Sequence, residues 1–498
     1  MGETDSLLAY TDAELVLGIV AAAGTDLDQF CLSLESALKG YRYNSSHVRF
    51  SELAESLVGD VAGEEGSREF VRLTRLMNAG NVARKRGGGD ALALAAAGKI
   101  NTYRTSGKDD QKEPLNRHAH ILRSLKHPAE VLTLRRVYGP AFFLLGVVSS
   151  EADRRRYLRS ARNCSETEVD KILRRDDHEG LDLGQRTRDT FHLADVFVAL
   201  RDGASLRRFL DLVFAHPYET PTMDEYAMFL AFAASLRSAD LSRQVGAVIV
   251  SSAGDVLSVG ANDVPKHGGG LFWPGRGDQR DHVLGFDSNE VERGRIVDEI
   301  VDLLKPEDTP EKSWDAKAWK EQAWQRLREH NAQVLDLTEY GRPVHAEMEA
   351  LLSCSRIGVS ARGATLYTTT FPCHNCAKHI LASGIRRVVY VEPYPKSKTA
   401  QFYSDSIKLG RVTKHDPRVA FEAFEGLGFR RFFDLLSIGP STGYPVKRKV
   451  KGGQVREDWS AISAEVRVPL LPTSYMFRES LCAKELMSRF GKTVEAKE

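Results

Sequence analysis

Along the first half of the chain, continuous apolar runs alternate with segments in which apolar residues recur at helical spacing. Residues 14–23 (ELVLGIVAAA) are almost entirely apolar, and after a break at residues 24–26 apolar residues recur at helical spacing up to residue 38. This pattern predicts a buried strand, a tight turn and a helix. Further apolar runs at residues 141–149 and 194–200 predict two more strands with helical segments between them. A doubly wound α/β sheet is the architecture that this order favours.

A different order of elements is predicted for the second half. The elements are an amphipathic helix at residues 224–241, a hairpin of strands at 245–250 and 256–260, a strand at 364–370, a helix at 373–383 and a strand at 387–391. The change in composition at residues 216–222 predicts a boundary between a domain at 1–216 and a domain at 217–498, the latter with a long insertion at 263–340. Trp314, Trp319 and Trp324 in this insertion are interpreted as core or subunit-interface anchors.

Composition and charge argue against a membrane protein, a secreted protein and a protein with a global attraction to nucleic acid. The 69 Lys and Arg residues nearly balance the 68 Asp and Glu residues, so no global field attracts nucleic acid or an anionic membrane. The apolar stretch at residues 140–148 is too short to span a bilayer, and the acidic first residues differ from a signal peptide. We therefore expect a cytoplasmic protein without a membrane partner. Four scattered cysteines are expected to be small buried residues, namely Cys31, Cys164, Cys354 and Cys482.

Two short motifs in the second half carry candidate metal chemistry. His345-Ala346-Glu347 is followed by Pro372-Cys373-His374-Asn375-Cys376. One imidazole and two thiolates, from His345, Cys373 and Cys376, suit Zn²⁺ and leave a fourth tetrahedral position for water. Cys373 and Cys376 are three residues apart at a predicted helix start, so one turn presents both sulfurs together. Glu347 is predicted to be the catalytic acid and base, since it follows the histidine by two residues without being needed as a ligand.

This H-x-E and P-C-x-x-C signature is the one associated with zinc nucleobase deaminases. The alternative is a closed structural zinc site, which needs a fourth ligand. His374 and His379 are the nearby candidates. Because His374 lies between the two cysteines, it should point away from a metal that they share.

The turn after the first predicted strand resembles a degenerate phosphate-binding loop. Gly18, Gly24, Thr25 and Asp26 are candidate nucleotide-binding residues, but Thr25 stands where a lysine belongs and Asp26 replaces the hydroxyl that ligates magnesium. We therefore expect no γ-phosphate transfer by this half. For four basic segments, the sequence leaves open whether they are solvated surface or contact phosphate or RNA. They are the arginine runs near residues 154–156 and 174–175, a predicted flexible loop at 84–90, and the cluster at 447–451.

The order of elements in the second half resembles the cytidine deaminase superfamily, and within it the deoxycytidylate deaminases. This resemblance implies an α/β/α sandwich with Zn²⁺, and it implies that Asn262 after the hairpin contacts the sugar 3′-hydroxyl. Ala261 and Asp263 depart from the residues that usually flank this asparagine. Phosphate contacts are predicted from basic residues that flank the motifs, namely Arg243, Lys266, Lys396 and Lys398.

The whole chain resembles the bacterial antiphage dCTP/dCMP deaminases, in which a P-loop kinase-like domain precedes the deaminase domain. Four stretches carry this likeness: residues 24–27, 126–128, 184–195 and 392–397. The resemblance implies hydrolytic conversion of dCTP and dCMP to dUTP and dUMP, which deprives an infecting phage of a DNA precursor. It further implies a homo-oligomer, an inhibitory noncoding RNA in some relatives, and a nucleotide at the N-terminal domain.

Three alternatives are left open at this stage. A polynucleotide cytidine deaminase would need a basic groove with stacking aromatics, for which the near-zero net charge gives no support. A nucleotide kinase or nucleotide sensor with the deaminase as its regulatory module would place the activity in the first half. A third alternative makes the first half a nucleotide or RNA receptor that controls the deaminase.

Overall fold

The computed structural model describes two compact units. Its described residues exclude 1–11, 105–112, 178, 180–181, 305–314, 330–331, 392–397, 414, 440–442, 451–452, 457–458, 470–471 and 496–498. Unit 1 comprises Met1–Tyr226, Val391–Pro395 and Ala423–Glu498, and unit 2 comprises Ala227–Tyr390 and Lys396–Glu422. The boundary predicted at residue 216 therefore lies short of Tyr226. The predicted continuous domain at 217–498 is also corrected, because its last segment packs with unit 1.

Unit 1 is built on one six-stranded sheet. Its strands are β1 (Leu15–Ala21), β2 (Asn44–Arg49), β3 (His118–Arg123), β4 (Phe142–Val148), β5 (Val196–Ala199) and β12 (Gly426–Leu427). Their order is β12-β5-β4-β1-β3-β2. Every pair among β1 to β5 is parallel, and only the edge pair of β12 with β5 is antiparallel. The strands predicted near residues 15, 142 and 196 are confirmed, whereas β2 and β3 were missed.

Helices connect these strands, as a parallel sheet requires. They are α1 (Leu27–Lys39), α2 (Phe50–Val58), α3 (Arg68–Gly87), α4 (Ala91–Arg104), α5 (Pro128–Tyr138), α6 (Glu151–Arg156), α7 (Glu166–Asp177), α8 (Thr187–Phe191) and α9 (Gly203–Val213). The flexible basic loop predicted at residues 84–90 is wrong. Arg84 lies within α3, where it is buried and its Nη2 is 2.9 Å from Glu130 Oε1, so an ion pair holds it in the core.

A buried charge cluster joins the C-terminal segment to the rest of unit 1. The long helix Pro472–Glu495 packs against α4. Arg104 at the end of α4 pairs with Glu479 of this helix and, at 3.0 Å, with Glu14 before β1. The Tyr475 hydroxyl donates to Glu14 at 2.6 Å. Because these charges are removed from water, each depends on its partners for compensation.

Unit 2 contains a second six-stranded sheet in the order β10-β11-β9-β8-β6-β7. The strands are β6 (Gly246–Val250), β7 (Val256–Ala261), β8 (Thr365–Thr368), β9 (Arg387–Tyr390), β10 (Ile407–Leu409) and β11 (Val419–Ala423). β6 pairs antiparallel with β7 and β8, and β8 pairs parallel with β9. The predicted hairpin and the two strands around the cysteine motif are confirmed. Both units are therefore α/β, as predicted.

Helices surround this second sheet and fill the insertion. They are α10 (Met223–Ser235), α11 (Asp281–Leu284), α12 (Ser288–Leu303), α13 (Ala316–Glu329), α14 (Ala346–Ile357), α15 (His374–Ala382) and α16 (Thr399–Phe402), followed in unit 1 by α17 (Phe432–Leu436) and α18, the helix Pro472–Glu495. Trp319 and Trp324 of α13 donate their indole N–H groups to Val301 O and Asp298 Oδ1 of α12. These two tryptophans therefore anchor the insertion within the chain, whereas Trp314 lies outside the described residues.

One expectation from composition is met among the residues described. Cys31, Cys164, Cys354 and Cys482 are buried free thiols. None of the helices that could be searched is both long enough and apolar enough to cross a membrane.

Candidate metal and catalytic centre

Two helix N-termini of unit 2 carry the HAE and PCHNC motifs. His345 is the N-cap residue of α14, and Cys373 is the N-cap residue of α15. The Cys373 sulfur accepts a hydrogen bond from the Cys376 backbone N–H, with 3.4 Å between the atoms. Since a helix start leaves backbone N–H groups unpaired, it stabilises a thiolate at this position. β8 ends just before the Pro372 turn and so directs Cys373 towards α14.

The three predicted metal ligands come together. The ligand atoms of His345, Cys373 and Cys376 all lie within 4.8 Å of one another. His345 Nδ1 is 3.2 Å from Cys376 Sγ and 3.3 Å from Cys373 Sγ. Within the part of the chain that the structure describes, this is the one such group of three. His267 and His282 are not members of this group.

Electrostatics at this centre favour one thiolate, at Cys373, because its hydrogen bond with Cys376, together with burial, raises the pKa of Cys376 well above the usual value. Hydrogen bonds from the Cys376 thiol and from His345 hold the pKa of Cys373 at about 3 against the effect of burial. The hydrogen bond to Cys373 raises the pKa of His345 to about 9. The sulfur of Cys373 is therefore a thiolate, the form that binds metal ions.

Glu347 lies in the first turn of α14, directed at the same centre. Its Oε2 is 3.5 Å from Cys376 Sγ, and its side chain is buried, with 4% of the residue exposed. Burial raises the pKa of Glu347 above its usual value, because a carboxylate is poorly solvated there. A carboxyl with a raised pKa is suited to taking up and returning protons near neutral pH.

The donor set fits zinc better than a harder cation. Two sulfurs and one imidazole nitrogen are typical zinc ligands, and three protein ligands are typical of a catalytic rather than a structural site. His374, a candidate fourth ligand, instead places its ring 5.8 Å from the ring of Phe402. The group of possible ligands contains neither His374 nor His379, so the structural zinc alternative lacks its fourth ligand among the residues described.

Asn262, the predicted sugar contact, lies immediately after β7 and is buried. Its Oδ1 accepts the Val245 N–H at 2.6 Å, and its Nδ2 donates to the Arg243 carbonyl at 2.8 Å. The Ser238 hydroxyl donates to the Asn262 carbonyl at 2.6 Å. This side chain therefore holds the loop that carries Arg243, a role that the sequence did not reveal.

Replacing Asn262 should test this bracing role. We expect Asn262→Ala to lower the free energy of unfolding by about 1–3 kcal/mol, because two buried hydrogen bonds are lost. Zinc content should be unchanged, since Asn262 is not a ligand. Urea unfolding and metal analysis measure the two effects. Unaltered stability would contradict the bracing role.

The predicted phosphate contacts differ in where the structure places them. Arg243 is exposed, and its backbone carbonyl accepts the side-chain amide of Asn262. Lys398 precedes Thr399, whose hydroxyl donates to the Pro372 carbonyl at 3.0 Å, so Lys398 is near the cysteine turn. Lys266 is exposed in the turn closed by its N–H to Gly270 O. Lys396 and the rest of residues 392–397 lie outside the described part of the chain.

The four predicted N-terminal site residues lie in different surroundings in unit 1. Gly24 and Thr25 line a cavity at the end of β1. Gly18 instead lies inside β1, where an added Cβ would meet the Phe142 ring at 2.9 Å, so its small size serves the packing of β1 on β4. Asp26 is the N-cap of α1 and accepts the Gln29 N–H. Gly18 and Asp26 therefore have structural roles, and neither is among the residues that line this cavity.

Comparison with known proteins bears on this centre. Residues 221–392 match the family model described as the cytidine and deoxycytidylate deaminase zinc-binding region. The second half of the chain carries a deaminase-type zinc-binding region. Its cofactor is Zn²⁺, for which the region supplies His345, Cys373 and Cys376 as the group of possible ligands.

Similar proteins share this deaminase region only in part. The chain is 47% identical to ComE operon protein 2 of Bacillus subtilis over 90 residues, which cover 18% of this chain and 48% of that protein. It is 51% identical to the deoxycytidylate deaminase of phage T4 over 55 residues, covering 11% of this chain and 28% of that enzyme. The mouse deoxycytidylate deaminase is 28% identical over 190 residues, which cover 38% of this chain and 76% of that enzyme. The chain thus spans about half or less of the Bacillus and phage relatives.

Among solved structures, the chain is similar to the apo dCMP deaminase of cyanophage S-TIM5. The sequence identity is 19% and the TM-score is 0.22, with coverage of 41% of this chain and 100% of that chain.

Proposed function

We propose that this protein hydrolytically deaminates free cytosine deoxynucleotides. The observation that carries the proposal is the convergence of His345, Cys373 and Cys376 within 4.8 Å, with the buried Glu347 carboxylate 3.5 Å from Cys376. A nucleophilic water and a proton carrier are what exchange of an exocyclic amine for oxygen requires. The match of residues 221–392 to the deaminase zinc-binding region supports the same reaction class.

The proposed mechanism uses Glu347 at each proton transfer. Zinc, when bound, supplies Lewis acidity to the hydrolytic water. Glu347 accepts a proton from this water as its oxygen attacks C4, and it delivers that proton to ring N3. Glu347 then takes the remaining proton of the hydroxyl added at C4 and passes it to the departing amine, so that cytosine and water give uracil and ammonia. Burial of Glu347 excludes competing bulk water from these transfers.

The substrate is proposed to be a nucleotide rather than a polynucleotide. Asn262 is buried and holds the loop that carries the exposed Arg243, whose guanidinium is proposed to bind a phosphate. Lys266 and Lys398 are further candidates for phosphate contacts. We propose that Asn262, besides holding this loop, contacts the sugar 3′-hydroxyl through the second N–H of its amide, where it would obstruct a continuing strand.

Three further parts of the proposal rest on the resemblance to the antiphage deaminases: the dCTP substrate, the role in defence and the role of unit 1. We propose that dCTP is a substrate as well as dCMP, and that the reaction serves antiphage defence by depleting dCTP in the cytoplasm. Unit 1 would then be a P-loop kinase-like regulatory module, which its doubly wound parallel sheet supports. Homo-oligomerisation, control by a noncoding RNA and the absence of kinase activity remain predictions.

A substrate panel tests the proposed function. The purified full chain is incubated separately with dCTP, dCMP, CTP and a cytosine-bearing single strand, and uracil formation is measured by chromatography. We expect turnover of dCTP or dCMP and at least ~10²-fold less with the strand, because the acid and base act only on a correctly seated base. Comparable rates on the strand would overturn the choice of a free nucleotide, and inactivity on all four would overturn the deaminase proposal.

A further inference from the structure

Asp263 lies at the base of the long insertion, between the proposed sugar contact and the segment that leads to the metal centre. It follows Asn262 directly, and its backbone carbonyl accepts the Val344 N–H at 2.9 Å. Asp263 and Val344 form an isolated antiparallel bridge. In an antiparallel pairing, the residue before one partner lies opposite the residue after the other. The bridge therefore places Asn262 opposite His345.

The Asp263 side chain is buried, with 1% of the residue exposed, and both of its oxygens accept hydrogen bonds. Oδ1 accepts the Val264 N–H at 2.8 Å, and Oδ2 accepts the Ala239 N–H at 3.3 Å. Arg280 Nη1, from within the insertion, lies 3.5 Å from the same Oδ2. One carboxylate thereby joins its own turn, the segment after α10 and the insertion.

The segment after α10 also contacts Asn262. The Ser238 hydroxyl donates to the Asn262 carbonyl at 2.6 Å. The next residue, Ala239, donates its N–H to Asp263. Consecutive residues of one turn thus hold Asn262 and Asp263. Removal of the Asp263 carboxylate takes away one of these attachments, so the backbone at Asn262 becomes free to shift relative to His345.

Arg280 compensates the buried charge of Asp263 and is itself held in place. It is 5% exposed and pairs with Asp278 at 2.7 Å. The residue after it, Asp281, accepts from Arg342 Nη1 at 2.7 Å, so residues from both ends of the insertion hold the same short segment. A buried carboxylate requires such compensation, and an uncharged replacement of Asp263 removes a carboxylate partner of Arg280. The base of the insertion is therefore a connected structure built around Asp263.

We propose that Asp263 is a positioning residue, which sets the placement of Asn262 relative to the metal ligands and thereby the recognition of the sugar 3′-hydroxyl. Its oxygens face buried amides and Arg280, so it acts through Asn262 and does not touch the substrate. The inference rests on the proposed function, in which the second N–H of the Asn262 amide meets the 3′-hydroxyl. A hydrogen bond weakens steeply with small changes in distance and angle. Without Asp263, the protein should still bind zinc and a cytosine nucleotide, but it should lose its preference for a sugar that carries the 3′-hydroxyl.

Equilibrium dialysis of dCMP against 2′,3′-dideoxycytidine monophosphate, which lacks the 3′-hydroxyl, tests this role. The full, zinc-loaded chain carries Glu347→Gln, which prevents turnover. This parent protein should bind dCMP at least ~5-fold more tightly than the dideoxynucleotide, because one hydrogen bond to the sugar is lost. Asp263→Ala should bring the two affinities to within ~2-fold of each other. A residue that only stabilises the fold would weaken both nucleotides alike and leave their ratio unchanged.

A second, more conservative variant guards against misfolding. Asp263→Asn keeps the shape of the side chain and one oxygen acceptor, but its amide nitrogen cannot accept the Ala239 N–H. It also carries no charge for Arg280. We expect it to reduce the preference for dCMP in the same direction as Asp263→Ala. Both variants should retain about one zinc, which metal analysis of the dialysed samples measures.

A double substitution shows whether Asp263 acts through Asn262. In an Asn262→Ala background the sugar contact is already lost, so adding Asp263→Ala should change the dCMP affinity by no more than ~2-fold. Asp416→Ala is the matched control. Asp416 belongs to the same unit, its side chain is 11% exposed, and it pairs with Arg418 between β10 and β11. This variant should leave the preference for dCMP at the parent value.

The outcomes distinguish failure of this inference from failure of the proposed function. A preference at the parent value in Asp263→Ala and Asp263→Asn, loss of zinc from both, or an equal loss of dCMP affinity with and without Asn262 would overturn the positioning role. Equal binding of the two nucleotides by the parent would remove the sugar contact and the positioning role with it, while the substrate panel would still decide the reaction. Absence of dCMP binding to the parent would overturn the deoxynucleotide site itself.

Discussion

Glu347→Gln is expected to lower the rate of deamination at least ~10²-fold, because it removes a positioned acid and base. Zinc content and fold should be unchanged. The amide has nearly the same shape as the carboxyl group, so packing around α14 is preserved. It can neither accept the proton of the attacking water nor return it to the base. Initial rates of uracil nucleotide formation, with metal analysis of the same samples, measure both parts of the prediction.

Glu349→Gln is the control for this experiment. Glu349 is also buried and also lies in the first turn of α14, but it pairs with Arg356 rather than facing the metal ligands. Losing that pair should reduce stability and leave turnover within a few-fold of the parent, as expected for a residue that does not touch the reacting atoms. A Glu347→Gln enzyme that is as active as Glu349→Gln would refute the assigned role of Glu347.

Cys373→Ala is expected to abolish both zinc binding and activity. The full chain should hold about one zinc, and the variant close to none, because only two of the three ligands remain. The Cys376 backbone N–H also loses its sulfur acceptor at the start of α15, so the helix start is weakened as well. Metal content after extensive dialysis and the melting temperature measure these effects.

The matched control is Cys354→Ala, which removes a buried thiol from the same unit. Cys354 lies 3.2 Å from the Ser258 hydroxyl and outside the metal cluster. Its loss should cost some stability and leave zinc in place. Undiminished zinc in Cys373→Ala would remove Cys373 from the ligand set.

The elements that sequence patterns predicted are those with strong local signals. β1 and β4 are continuous apolar runs because both faces of a central parallel strand are covered. The edge strand β2 (NSSHVR) has one buried residue, and β3 (HAHILR) is interrupted by histidines, so neither resembles a strand in sequence. Their formation depends on long-range pairing with β1, which local patterns do not report.

The dependence on long-range pairing also explains why the metal site was predictable from the sequence and the unit 1 cavity was not. The metal ligands were predictable because the chemistry of zinc requires particular residue types at short spacing within two motifs. The unit 1 cavity draws Arg49, Arg123 and Arg162 from separate elements, and the ends of β2 and β3 could not be identified without the strands themselves. Arg84 was misassigned for a related reason: its partner, Glu130, is distant in sequence.

The return of residues 423–498 to unit 1 has a consequence for biosynthesis. Unit 2 emerges from the ribosome before α18 does, so Arg104 and Glu14 await Glu479 and Tyr475 while the deaminase region is already free to fold. Unit 1 becomes complete only after unit 2 has been translated. In a chain that is cut short after unit 2, the buried Arg104 would lack the carboxylate of Glu479. Unit 1 would then be incompletely folded and would be degraded by quality-control proteases. The discontinuous arrangement thereby links survival of the deaminase region to completion of the unit that encloses it in sequence.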